Sequence, residues 1–370
     1  MEGFQRRETR SALYTNIRSG SLLNLVLDNA EFPSASRDID AGQDVYEFAH
    51  FNQRKVDEVL VDINQTEYGQ VFIRGDGYVV FHDRYYRSQA TSVGASFNET
   101  MSDISFKRDA GDLRTEARVS VLPKILKPQA TLWSIQSPII INPSSTASWF
   151  GSYIDSGTCR LCLATNVASP GVGTCALLNA NASGTGTNLS ASFSACLTQF
   201  AESFKVAASN GGGTTGYVYR FDVVGQPIVS YEQISRTSTN AAACALYGVR
   251  TLVYDAPLLS DADKGQEFAD FLAIRYSDPQ NIDKVSMSIL NGTLALWEQI
   301  VRRELDDRIA VTNTDTGLSG VDFFIGYLSE NYSSNSGLHS VTWTLELFGV
   351  QDGFFLVDSS EVGGTKGLGY

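Results

Sequence analysis

Histidine and cysteine are scarce in this sequence, and no apolar stretch is long enough to cross a membrane. Of its 370 residues, 3 are His and 5 are Cys. No apolar run approaches the ~20 residues that a membrane-spanning helix needs, and the residues after Met1 lead into no apolar signal core. We therefore expect a soluble protein without a membrane span or a secretion signal.

Positive charge is also in short supply. Against 41 acidic residues there are 28 Lys and Arg, which gives a formal net charge of −13. A protein that grips nucleic acid needs clustered cations to neutralise phosphates, so this balance argues against DNA or RNA as a bound ligand. The length suggests two or three domains, and 43% hydrophobic residues suffice for ordinary cores.

Catalytic motifs are missing. The sequence has no Gly-x-Ser-x-Gly, no His-Glu-x-x-His and no Gly-x-x-x-x-Gly-Lys-Ser/Thr segment. Its histidines, His50, His82 and His339, stand in no nucleophile context. In residues 302–308 arginines interleave with carboxylates, which favours mutual ion pairing over the carboxylate pair of a glycoside hydrolase. We expect no enzyme, no catalytic residue and no cofactor.

The cysteines offer a weak case for a metal. Cys159 and Cys162 have the spacing of half a zinc site, but the other half would have to come from the scattered Cys175 and Cys196. We expect no metal.

The first third predicts two helices and a hairpin. Apolar residues recur at helical spacing over 22–30, with Ser21 as the expected cap, and again over 55–67, where Gly69 is expected to supply the left-handed stop. Residues 71–81 then indicate a β-hairpin turned at Gly75-Asp76-Gly77.

The middle third predicts a β-sandwich over residues 122–240. Between residues 130 and 200 only Asp155 and Arg160 are charged, and short apolar runs alternate with Gly, Asn, Ser and Pro. The aromatic content argues against a disordered linker. Trp149 and Tyr153 are candidates for contact with a sugar or a partner, although core filling explains such residues more often.

The last third predicts a helix over 261–276 and alternating strands that form a small barrel. Its main hairpin joins 324–328 to 339–348, and a Gly-rich tail over 363–369 is expected to be flexible. The fold class is therefore α+β, predominantly β. We predict a helix-plus-hairpin unit (1–121), an inserted β-sandwich (122–246), and a C-terminal helix with a small β-barrel and a flexible tail (247–370).

This pattern of units resembles the minor tail proteins of tailed bacteriophages with long flexible tails, and the helix, glycine stop and hairpin are similar to a unit of the broader tail-hub family. The resemblance rests on diffuse patterns from about Leu22 to Phe348. Its segments are 25–33, 37–43, 66–69, 75–84, 247–250, 269–276, 296–309 and 339–346. Hub proteins usually carry a β-barrel before the first helix, whereas 20 residues precede Ser21 here.

The resemblance implies a structural virion protein of a tail tip or baseplate hub, made in the host cytoplasm. Such a protein forms a ring, expected here to be a homotrimer, that links the tail tube or distal tail protein to tail fibres or receptor-binding proteins. DNA would pass through the ring without specific binding, and acidic walls would repel its phosphates. Because that barrel is missing, two arrangements stay open: this chain forms a complete hub ring alone, or it completes a ring built by a second protein. Two alternatives stay open: a carbohydrate-binding tail decoration protein and a tail-associated hydrolase.

Overall fold

A computed structural model of the protein describes residues 8–89, 92–98, 103–107, 111–278, 284–315, 317–335, 337–347, 354–355 and 367–368. Strands dominate, with helices packed against them, so the predicted α+β, predominantly β class is confirmed.

Short helices punctuate a long succession of strands. The helices are α1 (Ser19–Asn29), α2 (Val56–Glu67), α3 (Tyr86–Gln89), α4 (Ala241–Tyr247), α5 (Ala262–Ser277) and α6 (Leu294–Arg302), with 3-10 turns at Ser34–Ser36 and Ser190–Ser192. The strands are β1 (Glu8–Arg10), β2 (Tyr14–Arg18), β3 (Arg37–Ile39), β4 (Val45–Ala49), β5 (Asn52–Lys55), β6 (Gln70–Ile73), β7 (Val79–His82), β8 (Ala95–Phe97), β9 (Asp103–Lys107), β10 (Glu116–Val121), β11 (Lys124–Leu126), β12 (Ala130–Ser134), β13 (Ile139–Ile141), β14 (Ser145–Ser152), β15 (Leu163–Ala168), β16 (Ala176–Asn179), β17 (Phe193–Gln199), β18 (Ser203–Asn210), β19 (Gly216–Ser230), β20 (Ile234–Thr239), β21 (Thr251–Ala256), β22 (Lys284–Leu290), β23 (Arg308–Asn313), β24 (Leu318–Ser333), β25 (Leu338–Leu347), β26 (Phe354–Phe355) and β27 (Gly367–Leu368).

The predicted helix-plus-hairpin unit is present. Helices α1 and α2 pack together because each buries the apolar face that its spacing predicted, and the core also takes in β7. Strand β7 pairs antiparallel with β6 and parallel with β3. We call α1, α2, β3, β6 and β7 the helix–hairpin unit.

Two local predictions in this unit were wrong. Helix α1 begins at Ser19, so the exposed Ser21 lies inside it and caps nothing. Helix α2 ends at Tyr68, which itself adopts the left-handed conformation with φ of 58°. Gly69 instead allows the backbone to pass close to β7, because a Cβ at this position would lie 2.4 Å from the carbonyl oxygen of His82.

The barrel predicted near the C-terminus is a curled, open sheet of six strands in the order β8-β23-β24-β25-β22-β9. Its long central hairpin, β24 and β25, agrees with the predicted one. Trp343 is fully buried at the centre of its core, with Val341 and Leu345 on the same face. Both edge strands, β8 and β9, come from the first third of the chain. We call this sheet with α6 the half-barrel.

A second sheet joins the segment that precedes the sandwich to the segment that follows it. Strand β10 lies between β20, to which it is antiparallel, and β21, to which it is parallel. Helix α5 packs on this sheet, and Asp261 caps the helix by accepting from the Asp263 amide. The sequence placed β20 in the inserted sandwich, which was to end at residue 246. Because β20 pairs with β10, we propose that the insertion ends before Ile234.

The central sandwich consists of two sheets around one core. In the first, the 15-residue strand β19 is flanked by β11, β12 and β13 on one side and by β15 and β16 on the other. The second has the order β14-β18-β17. The Tyr231 amide donates to the Pro123 carbonyl (2.9 Å), so the two ends of the sandwich lie side by side. Most of the tail predicted to be flexible lies outside the described residues.

Candidate functional site: the junction between the helix–hairpin unit and the half-barrel

A buried carboxylate joins the two parts of the scaffold. Asp306 follows α6, and its side chain is 1% exposed. Arg87 Nε donates to Asp306 Oδ1 at 2.7 Å, and His82 Nδ1 lies 2.8 Å from Asp306 Oδ2. Burial alone would raise the pKa of Asp306, but the hydrogen bond to His82 and the charge of Arg87 outweigh it and hold that pKa below its usual value. Asp306 is therefore an anion fixed between two residues of the first third.

The junction continues through Glu346 on β25. Arg87 Nη1 donates to Glu346 Oε2 at 2.6 Å, and Arg275 of α5 lies 3.6 Å from the same oxygen. Arg275 also sits over the Tyr68 ring, and the hydroxyls of Tyr68 and Tyr276 are 2.6 Å apart. We use the name junction for His82, Arg87, Asp306, Glu346 and Arg275.

A second buried charge cluster stabilises the helix–hairpin unit from within. Arg84 pairs with Asp44, and its Nε lies 3.6 Å from Glu67. Ser19 Oγ donates to Glu67 at 2.6 Å, and the amides of Gln43 and Asp44 donate to it at 2.9 Å. Burial raises the pKa of both Asp44 and Glu67. With three donors and a cation around it, Glu67 is a structural group rather than half of a catalytic pair.

A cavity of about 210 Å³ beside the junction is lined by arginines and carboxylates, together with three tyrosines, Asn64, Gly69 and Gln70. Arg84, Arg87 and Arg275 each face at least one carboxylate within 3.6 Å. The arrangement offers no concentrated positive charge for an anionic ligand. Its chemistry is the mutual neutralisation of buried charges, which fixes the relative position of the elements that carry them.

Each of the three histidines lies beside a carboxylate. The ring of His82 stacks on Tyr86 and contacts Asp306. His339 lies 3.5 Å from Glu330, and His50 lies 3.9 Å from Glu202. Ser11 lines a cavity with His50, and its Oγ accepts a hydrogen bond from the Phe51 amide at 2.9 Å.

One ion pair within residues 302–308 agrees with the predicted mutual pairing, whereas Arg308 and Asp306 pair with residues outside the segment. Arg303 pairs with Asp307, four residues further along the chain, at 3.1 Å. Arg308 pairs with Asp322 across the β23–β24 ladder, and Asp306 enters the junction. The sequence did not reveal this last role, because the partners of Asp306 lie more than 200 residues away.

The two predicted contact residues point inward. Tyr153 is fully buried and stacks on Phe204. Trp149 is half-buried and meets Phe221 edge to face. Residues 147, 149, 151 and 153 share one face of an extended segment, so the alternation could have shown that Phe150 is the outward aromatic. Phe150 is 67% exposed, and Lys205 Nζ lies 5.7 Å from its ring centre. Contact with a sugar or partner at Trp149 stays a proposal, whereas Tyr153 could make it only if the core opened.

All five cysteines are free thiols, and burial raises the pKa of Cys162 to about 11. Within the described ranges no group of three or more His, Cys, Asp or Glu side chains is placed to hold a metal ion. The absence of zinc stays a prediction. Among the described helices none is long and apolar enough to cross a membrane.

Comparison with known proteins gives structural neighbours only. No family model matches the sequence, and no curated protein matches it significantly. Solved structures similar to the chain include the 43 kDa tail protein of prophage MuSo2 from Shewanella oneidensis, the tail protein from Neisseria meningitidis MC58 and the prophage tail protein gp18 from Listeria monocytogenes EGD-e. All three are tail proteins.

These likenesses are distant. Identities are 8%, 9% and 11%, and TM-scores are 0.44, 0.47 and 0.35. The alignments cover 92%, 95% and 93% of this chain and 67%, 73% and 69% of the respective neighbours. At such values the likeness by itself assigns neither a family nor a function.

Proposed function

We propose that this protein is a structural component of a bacteriophage tail tip or baseplate hub. It forms a homotrimeric ring that surrounds the DNA channel and links the tail tube or distal tail protein to tail fibres or receptor-binding proteins. It is not an enzyme, and its place is the virion. The sequence resemblance to minor tail and tail-hub proteins supports this assignment.

An exposed apolar face on α6 is the observation that carries the ring proposal. Leu294, Trp297 and Val301 lie on one side of the helix and are 74%, 44% and 54% exposed. Neighbouring exposed apolar side chains of this kind are typical of a surface that contacts another protein. The half-barrel that carries α6 is also open, since in the described part of the chain its edge strands β8 and β9 pair on one side only.

Charge and rigidity are consistent with a ring. A net charge of −13 is compatible with channel walls that repel DNA phosphates. The junction and the β10 sheet join the first and last thirds of the chain into one scaffold. We therefore propose that the sandwich, residues 122–233, is an insertion that is available for contacts with neighbouring proteins.

Light scattering of the full chain after size exclusion tests the ring. We expect the mass of a trimer and, by electron microscopy, closed particles with a central opening. Val301→Asp should dissociate them, because a charge in an apolar contact is costly. Val61→Asp is the matched control, since Val61 is 59% exposed on α2. A monomeric wild-type chain, or equal effects of both substitutions, would contradict the proposal.

The carbohydrate-binding alternative has one favourable observation, the exposed Phe150, whose surroundings are developed below. The hydrolase alternative gains none, because the buried carboxylates Asp306 and Glu67 are engaged by arginines.

A further inference from the structure

A larger cavity lies between the first third of the chain and the central sandwich. Its volume is about 510 Å³. One wall is formed by residues 11–12 and 50–52, and the other by residues 199–203 and Phe150. Ligand pockets of roughly 300–1,000 Å³ occur preferentially between such structural units.

Backbone hydrogen bonds fix the first wall. The Ser11 amide donates to the Phe51 carbonyl, and the Phe51 amide donates to Ser11 Oγ, both at 2.9 Å. Phe51 itself is buried in the core of the helix–hairpin unit. Residues 12, 50 and 52 therefore face the cavity from an anchored backbone.

The second wall is a tight turn between β17 and β18 that is equally well anchored. The Phe200 amide donates to the Ser203 carbonyl at 2.8 Å. The Tyr153 amide donates to the Glu202 carbonyl and the Ala164 amide to the Ala201 carbonyl, both at 3.0 Å. Ala201 is buried and holds the turn in place, with Phe200 and Glu202 on its two sides. Because the turn is already ordered, binding a ligand costs less conformational entropy.

The lining combines aromatic faces with hydrogen-bonding groups. Phe150 and Phe200 are 67% and 45% exposed. Between the walls, Asn52 Nδ2 donates to Glu202 Oε2 at 3.4 Å, and the Glu202 side chain is 53% exposed. A ligand suited to this lining has an apolar face for a ring and several hydroxyls for a carboxylate and an amide.

Charge narrows the class of ligand. His50 lies 3.9 Å from Glu202, and burial lowers the pKa of His50, so its imidazole is neutral at neutral pH. His50 therefore does not neutralise the Glu202 carboxylate, and Lys205 lies to one side, over Phe150. A negatively charged ligand would be repelled by Glu202.

We propose that this cavity binds a neutral saccharide, whose CH face stacks on Phe150 while its hydroxyls donate to Glu202 and accept from Asn52. The site lies beside the Trp149 and Tyr153 positions that the sequence suggested, and it includes the outward neighbour of Trp149. The proposal does not depend on ring formation.

Saturation-transfer NMR on the full-length protein tests this site. The probes are glucose, galactose, N-acetylglucosamine and rhamnose at millimolar concentration, with N-acetylneuraminic acid as the charged comparator. We expect saturation transfer to at least one neutral probe. Phe150→Ala should weaken it roughly tenfold, and Glu202→Gln should weaken it too, because the charged acceptor is lost.

Tyr327→Ala is the matched control, since Tyr327 is a 62% exposed aromatic on the half-barrel, and it should leave the transfer unchanged. Circular dichroism verifies the fold of each variant. Four results overturn the proposal: no transfer to any neutral probe, transfer unaffected by Phe150→Ala, an equal loss in Tyr327→Ala, or tighter binding of the charged sugar.

Discussion

Replacing Asp306 by Asn tests whether the junction holds the scaffold together. The substitution keeps the shape of the side chain but removes its charge. His82 loses its carboxylate partner, whereas Arg87 keeps its existing ion pair with Glu346. Because Asp306 is 1% exposed, water cannot replace the lost interaction.

The magnitude follows from the burial of the pair. Removing one partner of a buried ion pair costs about 3–5 kcal/mol. Glu346 continues to neutralise Arg87, and its side chain is 43% exposed, so we expect the lower end, ~3 kcal/mol. Urea unfolding followed by circular dichroism should show a lower midpoint with an unchanged slope. Asp38→Asn is the control, because the Asp38 side chain, which pairs with Arg74, is 60% exposed and such pairs contribute at most about 1 kcal/mol.

The pH dependence gives a second test of the same residue. The folded-state pKa of Asp306 is lowered, so its stabilisation is complete above the ordinary carboxyl pKa of ~3.9 and is lost as the pH falls through the folded-state value. The difference in stability between wild type and Asp306→Asn should therefore shrink in acid. If Asp306→Asn and Asp38→Asn had equal midpoints at neutral pH, the junction would not have the role assigned to it.

Three further predictions concern the cores, the insertion and the thiols. Trp343→Ala should lower stability by about 3–5 kcal/mol in urea titrations, because the side chain is fully buried in the half-barrel; an unchanged midpoint would refute its placement. Replacing residues 124–230 by a short Gly/Ser linker should leave a soluble chain of unchanged oligomeric state by light scattering, since Pro123 and Tyr231 are hydrogen-bonded neighbours; aggregation or dissociation would show that the sandwich belongs to the scaffold. Elemental analysis should find no zinc, and one zinc per chain would contradict the cysteine interpretation.

Periodicity predicted the local elements well. Helices α1, α2 and α5 bury the residues that their spacing indicated, and the alternation around Trp343 predicted its burial. The fold class followed from these elements because each of them buries one face against the next. Details at the helix ends were less reliable, since Tyr68 took the left-handed conformation expected of a glycine.

The junction around Asp306 could not be predicted from periodicity. The residues that meet Asp306 lie 224 and 219 positions away, and no local pattern encodes such a pairing. Likewise, β8 and β9 are short segments whose neighbours lie in the last third, so periodicity could not assign them to the half-barrel. Only the tertiary structure shows which carboxylates are structural.

The central sandwich is packed against the first third of the chain. Phe48 on β4 packs against Leu163, Ala201 and Ile228 of the sandwich, and Lys124 Nζ donates to the Phe48 carbonyl at 3.1 Å. This small core adjoins the larger cavity, because Ala201 belongs to both. The contact that attaches the sandwich therefore also sets the distance between the two cavity walls. A change that loosened this contact would widen the cavity, so attachment of the insertion and recognition in the cavity are expected to depend on the same few residues.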